Sequence, residues 1–316
     1  MDKTQIGIIG LGKMGASLAQ QAAEKGYSVV GMDLRPRPDL ETTNLHVVTS
    51  LIELVAQLAP PRKVFVYIPA GAAVDHVIDE LAGHLDAGDI IVDGGNSYWG
   101  DSIRRAARLQ AQGLHFIDCG TSGGPDGARH GACYMVGGVK EAVQQLEPFF
   151  FDTAVPGGYL HTGPAGSGHY VKLVHNGIEF GMLQAIGEGV DLLTRYRTPL
   201  PISQVLDLWN HGSVIRSWLI ELMRKQFDEH PAFDVSGHVE DTGEVNWLVA
   251  DALRLEVPIP VITQAVIALF TSRDVDKTSA RAIALMRHGF GGHPFGTDPG
   301  IQHERQFGQV GGYALP

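Results

Sequence analysis

The segment Gly10-Leu-Gly-Lys-Met-Gly15 constrains this chain more than any other, because it stands between a strand pattern and a helix pattern. Residues 6–9 form a short apolar run suited to a buried strand, and residues 16–25 carry helical spacing. Gly10 permits a tight turn, Gly12 lets backbone approach a pyrophosphate, and Gly15 permits close packing of helix on strand. The helix N-terminus behind the turn favours an anion. Residues 29–33 read as the next strand and end in Asp33, placed to accept hydrogen bonds from an adenosine ribose. A carboxylate there repels a 2′-phosphate, which favours NAD over NADP. Arg35 complicates that preference, because a nearby arginine can hold the phosphate. The expected nucleotide contacts are Gly10, Leu11, Gly12, Lys13, Met14, Gly15, Asp33, Leu34, Arg35, Ile68, Pro69 and Asn96.

The alternation continues beyond this unit. Ser50-Leu-Ile-Glu53 has the form of a capping box for a helix through about residue 58. Strand patterns at 63–68, 89–93 and 115–118 alternate with helical ones at 73–83 and, after Ser97, through 112. This order predicts a doubly wound parallel sheet, an α/β Rossmann-type domain whose ligands bind beyond the strand C-termini. Asn96, Ser122, Gly123 and Gly124 fall in such strand-end loops, where turn chemistry alone also accounts for their residue types.

After Phe149 the pattern changes. Residues 157–162 suit an edge strand, and a helical segment runs from Gly166 to about Tyr196. Further helices are expected at 202–210, 215–227, 244–254, 261–270 and 277–287, followed by an irregular glycine-rich tail from Phe290. The expected organisation is a dinucleotide-binding domain over 1–165 and an all-α C-terminal domain over 166–316, serving substrate binding and oligomerisation. Within the long helix, Lys172, His175, Asn176 and Glu179 fall at i, i+3, i+4 and i+7, so one face carries all four. Lys172 and Glu179 are about 10 Å apart in helix rise. The surrounding segment is mostly small or apolar, so this polar row is expected to line a cleft rather than face water.

The net charge of −11, without an extended basic run, argues against nucleic-acid or membrane-surface partners. Two cysteines, Cys119 and Cys133, lack zinc-site spacing and do not suggest a secreted disulfide scaffold. No metal site is expected. No signal peptide precedes the first strand, and no apolar run approaches membrane-spanning length, so a cytoplasmic enzyme is expected.

The row extends to His169-Tyr-Val-Lys172-Leu-Val-His175-Asn176-Gly-Ile-Glu179, which closely resembles the catalytic helix of decarboxylating 6-phosphogluconate dehydrogenases, within the β-hydroxyacid dehydrogenase family. Gly10–Gly15, Asp93-Gly-Gly-Asn96-Ser97, Gly120-Thr-Ser122-Gly-Gly124, Ser213-Val-Ile-Arg216-Ser-Trp218 and Arg287-His-Gly-Phe290-Gly-Gly-His293 match in family order. The length resembles the short bacterial NAD-type form. The resemblance implies oxidation of a C3 hydroxyl followed by loss of the C1 carboxylate as CO2. Lys172 would act as base, which requires lowering an ammonium whose reference pKa is about 10.4. Glu179 would protonate the enediol at C1. Asn176 would orient hydroxyls, and His175 would order the substrate. Asn96, Ser122, Gly123, Gly124, His175, Asn176, Arg273, Arg287 and His293 would bind substrate.

Four departures from the family pattern bear on the substrate. Phe180 stands where the family usually has Tyr. Residues 241–247 lack a basic group, Ala268-Leu269-Phe270 replaces a family arginine, and the Gly124-Pro-Asp126-Gly127 loop lacks a tryptophan. Losing a charge-assisted donor to an anion costs about 1.5–3 kcal/mol. The expected substrate is therefore a small sugar acid, 6-phosphogluconate or an aldonate with sulfonate, carboxylate or hydroxyl at C6. A non-decarboxylating β-hydroxyacid dehydrogenase and a catalytically silent NAD-binding regulator remain the competing readings. A homodimer or homotetramer is expected, because a short helical domain exposes apolar surface.

Overall fold

The computed structural model describes residues 4–307. An eight-stranded sheet organises the N-terminal half. Its strands are β1 (Gln5–Ile9), β2 (Ser28–Met32), β3 (Leu45–Val48), β4 (Lys63–Val66), β5 (Ile90–Asp93), β6 (His115–Ser122), β7 (Ala132–Gly138) and β8 (Ala154–Gly163). The helices between them are α1 (Lys13–Glu24), α2 (Leu51–Ala56), α3 (Ala72–Ala82), α4 (Trp99–Gln110), α5 (Gly124–His130), α6 (Lys140–Gln144) and α7 (Glu147–Thr153). The spatial order is β3-β2-β1-β4-β5-β6-β7-β8, so the winding reverses between β1 and β4. All pairs are parallel except β6–β7. The fold is thus the expected Rossmann-type one, with a correction: the sheet is not wholly parallel. The short helix α5 turns the chain back, and β7 returns antiparallel to β6 before β8 extends the edge.

Period-two alternation distributes the strand residues between two cores. Ile6, Ile8, Val29, Phe65, Ile90, Val92, Ile117 and Cys119 pack on one face with α1 and α7 through Leu18, Ala22, Phe149 and Phe150. Ile9, Val30, Val64, Val66, Ile91 and Phe116 pack on the other with α2, α3 and α4 through Leu54, Ile78 and Leu109. Ser50 caps α2 by accepting the Glu53 amide at 3.3 Å, while the Glu53 carboxylate accepts from Thr49 N rather than from Ser50 N.

The remaining helices are α8 (Ser167–Thr194), α9 (Ile202–Asn210), α10 (Trp218–Glu229), α11 (Glu244–Arg254), α12 (Pro260–Arg273), α13 (Thr278–Gly291) and α14 (Pro299–Phe307). Besides α10, which begins at Trp218 rather than at 215, two of them depart from expectation. Helix α13 runs into the glycine-rich segment as far as Gly291, and Pro299 starts a further helix in the tail expected to be irregular. The chain divides into two compact units, one of Met1–Ile178 with Gly243–Pro258, the other of Glu179–Thr242 with Ile259–Pro316. The second unit is built around Val190, Ile202, Leu206 and Ile220. In the first unit, α11 joins α4: Asp251 accepts hydrogen bonds from Tyr98 Oη at 3.0 Å and Trp99 Nε1 at 2.7 Å. Among the described residues no helix is long and apolar enough to cross a membrane.

Candidate active site

The carboxyl ends of β1, β2, β4, β5 and β6 share one edge of the sheet, and the loops that leave them carry the candidate residues. Gly10 has φ +87°, and a Cβ there would meet the Tyr67 backbone carbonyl. A Cβ on Gly15 would run into the Gly10 carbonyl, so helix α1 seats on the strand only with glycine at both positions. Gly12 differs: a Cβ would find no atom within 4 Å. The turn is therefore open at its exposed apex, the place a diphosphate requires, in front of the first amides of α1. Asp33 closes the turn. One carboxylate oxygen accepts from Leu11 N at 3.0 Å and the other from Arg35 N at 3.1 Å. A carboxylate offers about four lone-pair sites, so acceptor capacity remains for hydroxyls. Arg37, which the sequence reading passed over, donates to the Leu11 carbonyl and pairs with Asp39 at 2.7 Å. Its only sequence signal is a second arginine two residues after Arg35. Leu34 is exposed beside the turn, and Lys13 and Arg35 face solvent.

The loop after β5 is held from beneath. Asp93, fully buried, accepts from Gly95 N at 3.1 Å and from Ser97 Oγ at 2.8 Å. Arg105, also fully buried, donates to Asp93 at 3.1 Å, to both oxygens of Asp75 at 3.0 and 3.1 Å, and to the Gly71 carbonyl at 3.4 Å. One guanidinium thereby joins the loop of Asn96 to the loop that follows Ile68 and Pro69. Its hydrogen bond is the largest influence holding the Asp75 carboxyl below its ordinary range.

Helix α8 brings three residues of the polar row to these loop ends. Asn176, buried, donates through Nδ2 to Asn96 Oδ1 at 3.3 Å. His175 Nε2 lies 3.1 Å from Ser122 Oγ, and its Nδ1 lies 3.4 Å from Lys172 Nζ and 3.3 Å from Asn176 Oδ1. With Nε2–H donating to Ser122, Nδ1 accepts from Lys172 Nζ; in the opposite tautomer Nδ1–H donates to Asn176 instead. The Lys172 stem packs on Gly120, whose added Cβ would collide with Lys172 Cβ. An amine, an imidazole and two amides, partly to fully buried, thus converge at the end of β6. Gly123 and Gly124 leave that end with φ of +115° and +59°.

Glu179 stands seven residues after Lys172 on the same helix, partly buried, and Phe180 follows it. In the second unit, Arg273 pairs with Asp241 at 2.9 Å and Glu240 at 3.7 Å, so much of its charge is already matched by carboxylates. Arg287 Nη2 lies 3.3 Å from His293 Nε2, and both line a cavity of about 330 Å³ with Thr297, Gln302 and Arg305. Arg305 was not anticipated, because it lies in the tail read as irregular. Among the described residues no cluster of three or more His, Cys, Asp or Glu is arranged to hold a metal.

Comparison with known proteins identifies the family. A family model described as the NAD binding domain of 6-phosphogluconate dehydrogenase matches residues 5–161, and one for the C-terminal domain of the same enzyme matches residues 168–295. The NAD(+)-dependent, decarboxylating 6-phosphogluconate dehydrogenase of Haloferax volcanii is 42% identical over 294 residues, covering 92% of this chain and 97% of the relative. The NADP(+)-dependent, decarboxylating enzyme of Bacillus subtilis is 38% identical over 291 residues, covering 86% of this chain and 62% of that longer relative. Among solved structures, Plasmodium falciparum 6-phosphogluconate dehydrogenase matches with TM-score 0.77 at 28% identity, over 93% of this chain and 66% of that one.

Proposed function

This chain belongs to the 6-phosphogluconate dehydrogenase family of oxidoreductases, and we propose that it catalyses NAD-dependent oxidative decarboxylation of 6-phosphogluconate, or of an aldonate differing only at C6, to a ketopentose and CO2. The observation that carries the reading is the convergence of Lys172, His175, Asn176, Asn96 and Ser122 at the carboxyl ends of β5 and β6, on the sheet edge that also bears the glycine turn. Asp33 supports NAD over NADP, and the pairing of Arg37 with Asp39 leaves less charge for a 2′-phosphate. The relatives include both cofactor types, so the assignment rests on these side chains.

Bound NAD would supply the hydride acceptor, held by Gly10–Gly15, Asp33, Leu34, Ile68 and Pro69. Lys172 takes the C3 hydroxyl proton as the hydride leaves. The 3-keto acid then loses its C1 carboxylate, with the Lys172 ammonium polarising the ketone that receives the electron pair. Glu179, nearly two turns along the helix, protonates the former C2 of the acid, which becomes C1 of the pentulose, as the enediol returns its hydroxyl proton to Lys172. Asn96 and Asn176 fix hydroxyl orientation, and Ser122 holds His175 against the substrate. Arg287 and His293 supply contacts to the C6 group in this reading, with Arg273 a weaker contributor because of its carboxylate partners. The proposed domains are 1–165 for the dinucleotide and 166–316 for substrate and assembly, in a homodimer or homotetramer.

The test compares kcat/KM for 6-phosphogluconate, 6-sulfogluconate and gluconate with NAD and NADP, with CO2 and pentulose measured. Lys172→Met is expected to lower kcat by about 10²–10⁴-fold, and Glu179→Gln to slow pentulose release. Oxidation without CO2 would replace this reading with the non-decarboxylating one. No turnover of any of the three acids would revive the regulator. A twofold or smaller effect of Lys172→Met would refute the mechanism.

A further inference from the structure

Strand β6 and helix α8 touch in a regular ladder. Asp118 Oδ2 accepts from His169 N at 2.8 Å, Gly120 packs on Lys172, and Ser122 Oγ meets His175 at 3.1 Å. The contacts step by two along the strand and by three along the helix, which keeps each on one face of its element. Asp118 is the fixed end of this ladder. It is fully buried, and its other oxygen accepts from Gly166 N at 2.7 Å. Gly166 immediately precedes the helix, and His169 is its third residue. These are the two amides that a capping box satisfies from within a helix. The first turn of α8 has no acidic residue of its own, so β6 supplies the carboxylate.

The approach is close on every side. A Cβ on Gly168 would lie 2.5 Å from both the Asp118 and Met135 carbonyl oxygens, and one on Gly137 would lie 2.6 Å from Asp118 Oδ1. The first turn of a 28-residue helix is thus pressed on β6 and β7 and anchored by a charge at its positive end.

We propose that Asp118 is a positioning residue for the reaction. By capping α8 from the sheet, it sets the axial register of the helix along β6, and so places Lys172 over Gly120 and His175 against Ser122. The proposal rests on the functional reading of Lys172 given above. A change in that register moves the amine along the substrate, and misplacement by about 1 Å can cost about 100-fold in rate.

Asp118→Asn keeps the shape but turns an NH2 group toward one of the two amides. Expected results are a fall in kcat of about 100-fold, KM for NAD within about twofold of wild type, and a larger deuterium isotope effect on kcat with substrate labelled at C3. Amide hydrogen exchange should also quicken from His169 through Asn176. Unchanged kcat with slower-folding or less stable protein would overturn the proposal and leave a purely structural cap. If wild-type protein oxidises no sugar acid, the functional reading has failed. Exchange then decides: quickening through Asn176 supports the anchoring, and unchanged exchange refutes it. If Asp118→Asn does not fold, Asp118→Ser carries the test, because a hydroxyl is a helix-capping acceptor that can still take one of the two amides. The same kcat loss supports the proposal, and wild-type kcat overturns it.

Discussion

Arg105 sits where two loops meet that are 25 residues apart in the chain, and nothing in its own neighbourhood of sequence marks it. Arg104-Arg105 on an amphipathic helix reads as a solvated face, yet Arg105 is fully buried with Asp93 beneath the Asn96 loop. The glycines were legible because each answers a local backbone demand. Asp118 and Arg105 were not, because their partners lie far along the chain and a single charged residue carries no period. The pair Arg105–Asp93 permits a firm expectation. Arg105→Met leaves the Asp93 carboxylate buried without its cation, which costs about 3–5 kcal/mol, read as a lower Tm. Asp75 adds a pH signature. Its folded pKa lies below the unfolded value of about 3.9, so its contribution is present above that pH and is lost as pH falls through the lower, folded value. Arg105→Met removes the principal cause of that depression. The acid limb of stability against pH should therefore be shallower in the variant than in wild type.

At the scale of elements, the strands with strong apolar runs and the long helix were readable, while β3, β7 and α5 to α7 were not. Strand β7 ends in Gly137-Gly138, which weakens its β pattern, and Gly137 is required because α8 packs directly on it. Helix α11 was legible as a helix but not as a part of the first unit. Its attachment runs through Asp251, where burial alone would raise the carboxyl pKa and hydrogen bonds from Trp99, Arg254 and Tyr98 hold it below the ordinary range. Asp251→Ala leaves the Tyr98 hydroxyl and the Trp99 indole N–H without their acceptor. A loss of about 1.5–3 kcal/mol is expected, seen as a lower urea midpoint with unchanged slope. Because α4 begins two residues after Ser97, kcat should fall along with stability. Wild-type kcat in a destabilised Asp251→Ala protein would separate the α11 anchor from the placement of Asn96.

For the whole molecule, the second unit raises a question of assembly. Helix α13 has no buried residue over its 14 positions, and Ile283, Met286 and Phe290, which share one face at i, i+3 and i+7, are 51, 61 and 76% exposed. Contiguous apolar surface of this kind marks an interaction site in a stable protein, and a second copy of the chain is the occupant proposed above. The net charge of −11 acts against such a pairing, because two copies repel. Apolar burial must therefore outweigh a repulsion that salt screens, over about 30 Å at 0.01 M but only about 8 Å at 0.15 M. Association should accordingly tighten as salt rises, opposite to an interface built on ion pairs. Sedimentation equilibrium at the two ionic strengths reads this directly. Replacing Ile283 and Met286 together by Glu places charge on the face and should shift the protein toward monomer at both. With Arg287 and His293 on the same stretch of chain, activity on 6-phosphogluconate should fall with assembly, recovering as protein concentration rises. A wild-type monomer of full activity would instead assign the exposed face of α13 no part in catalysis.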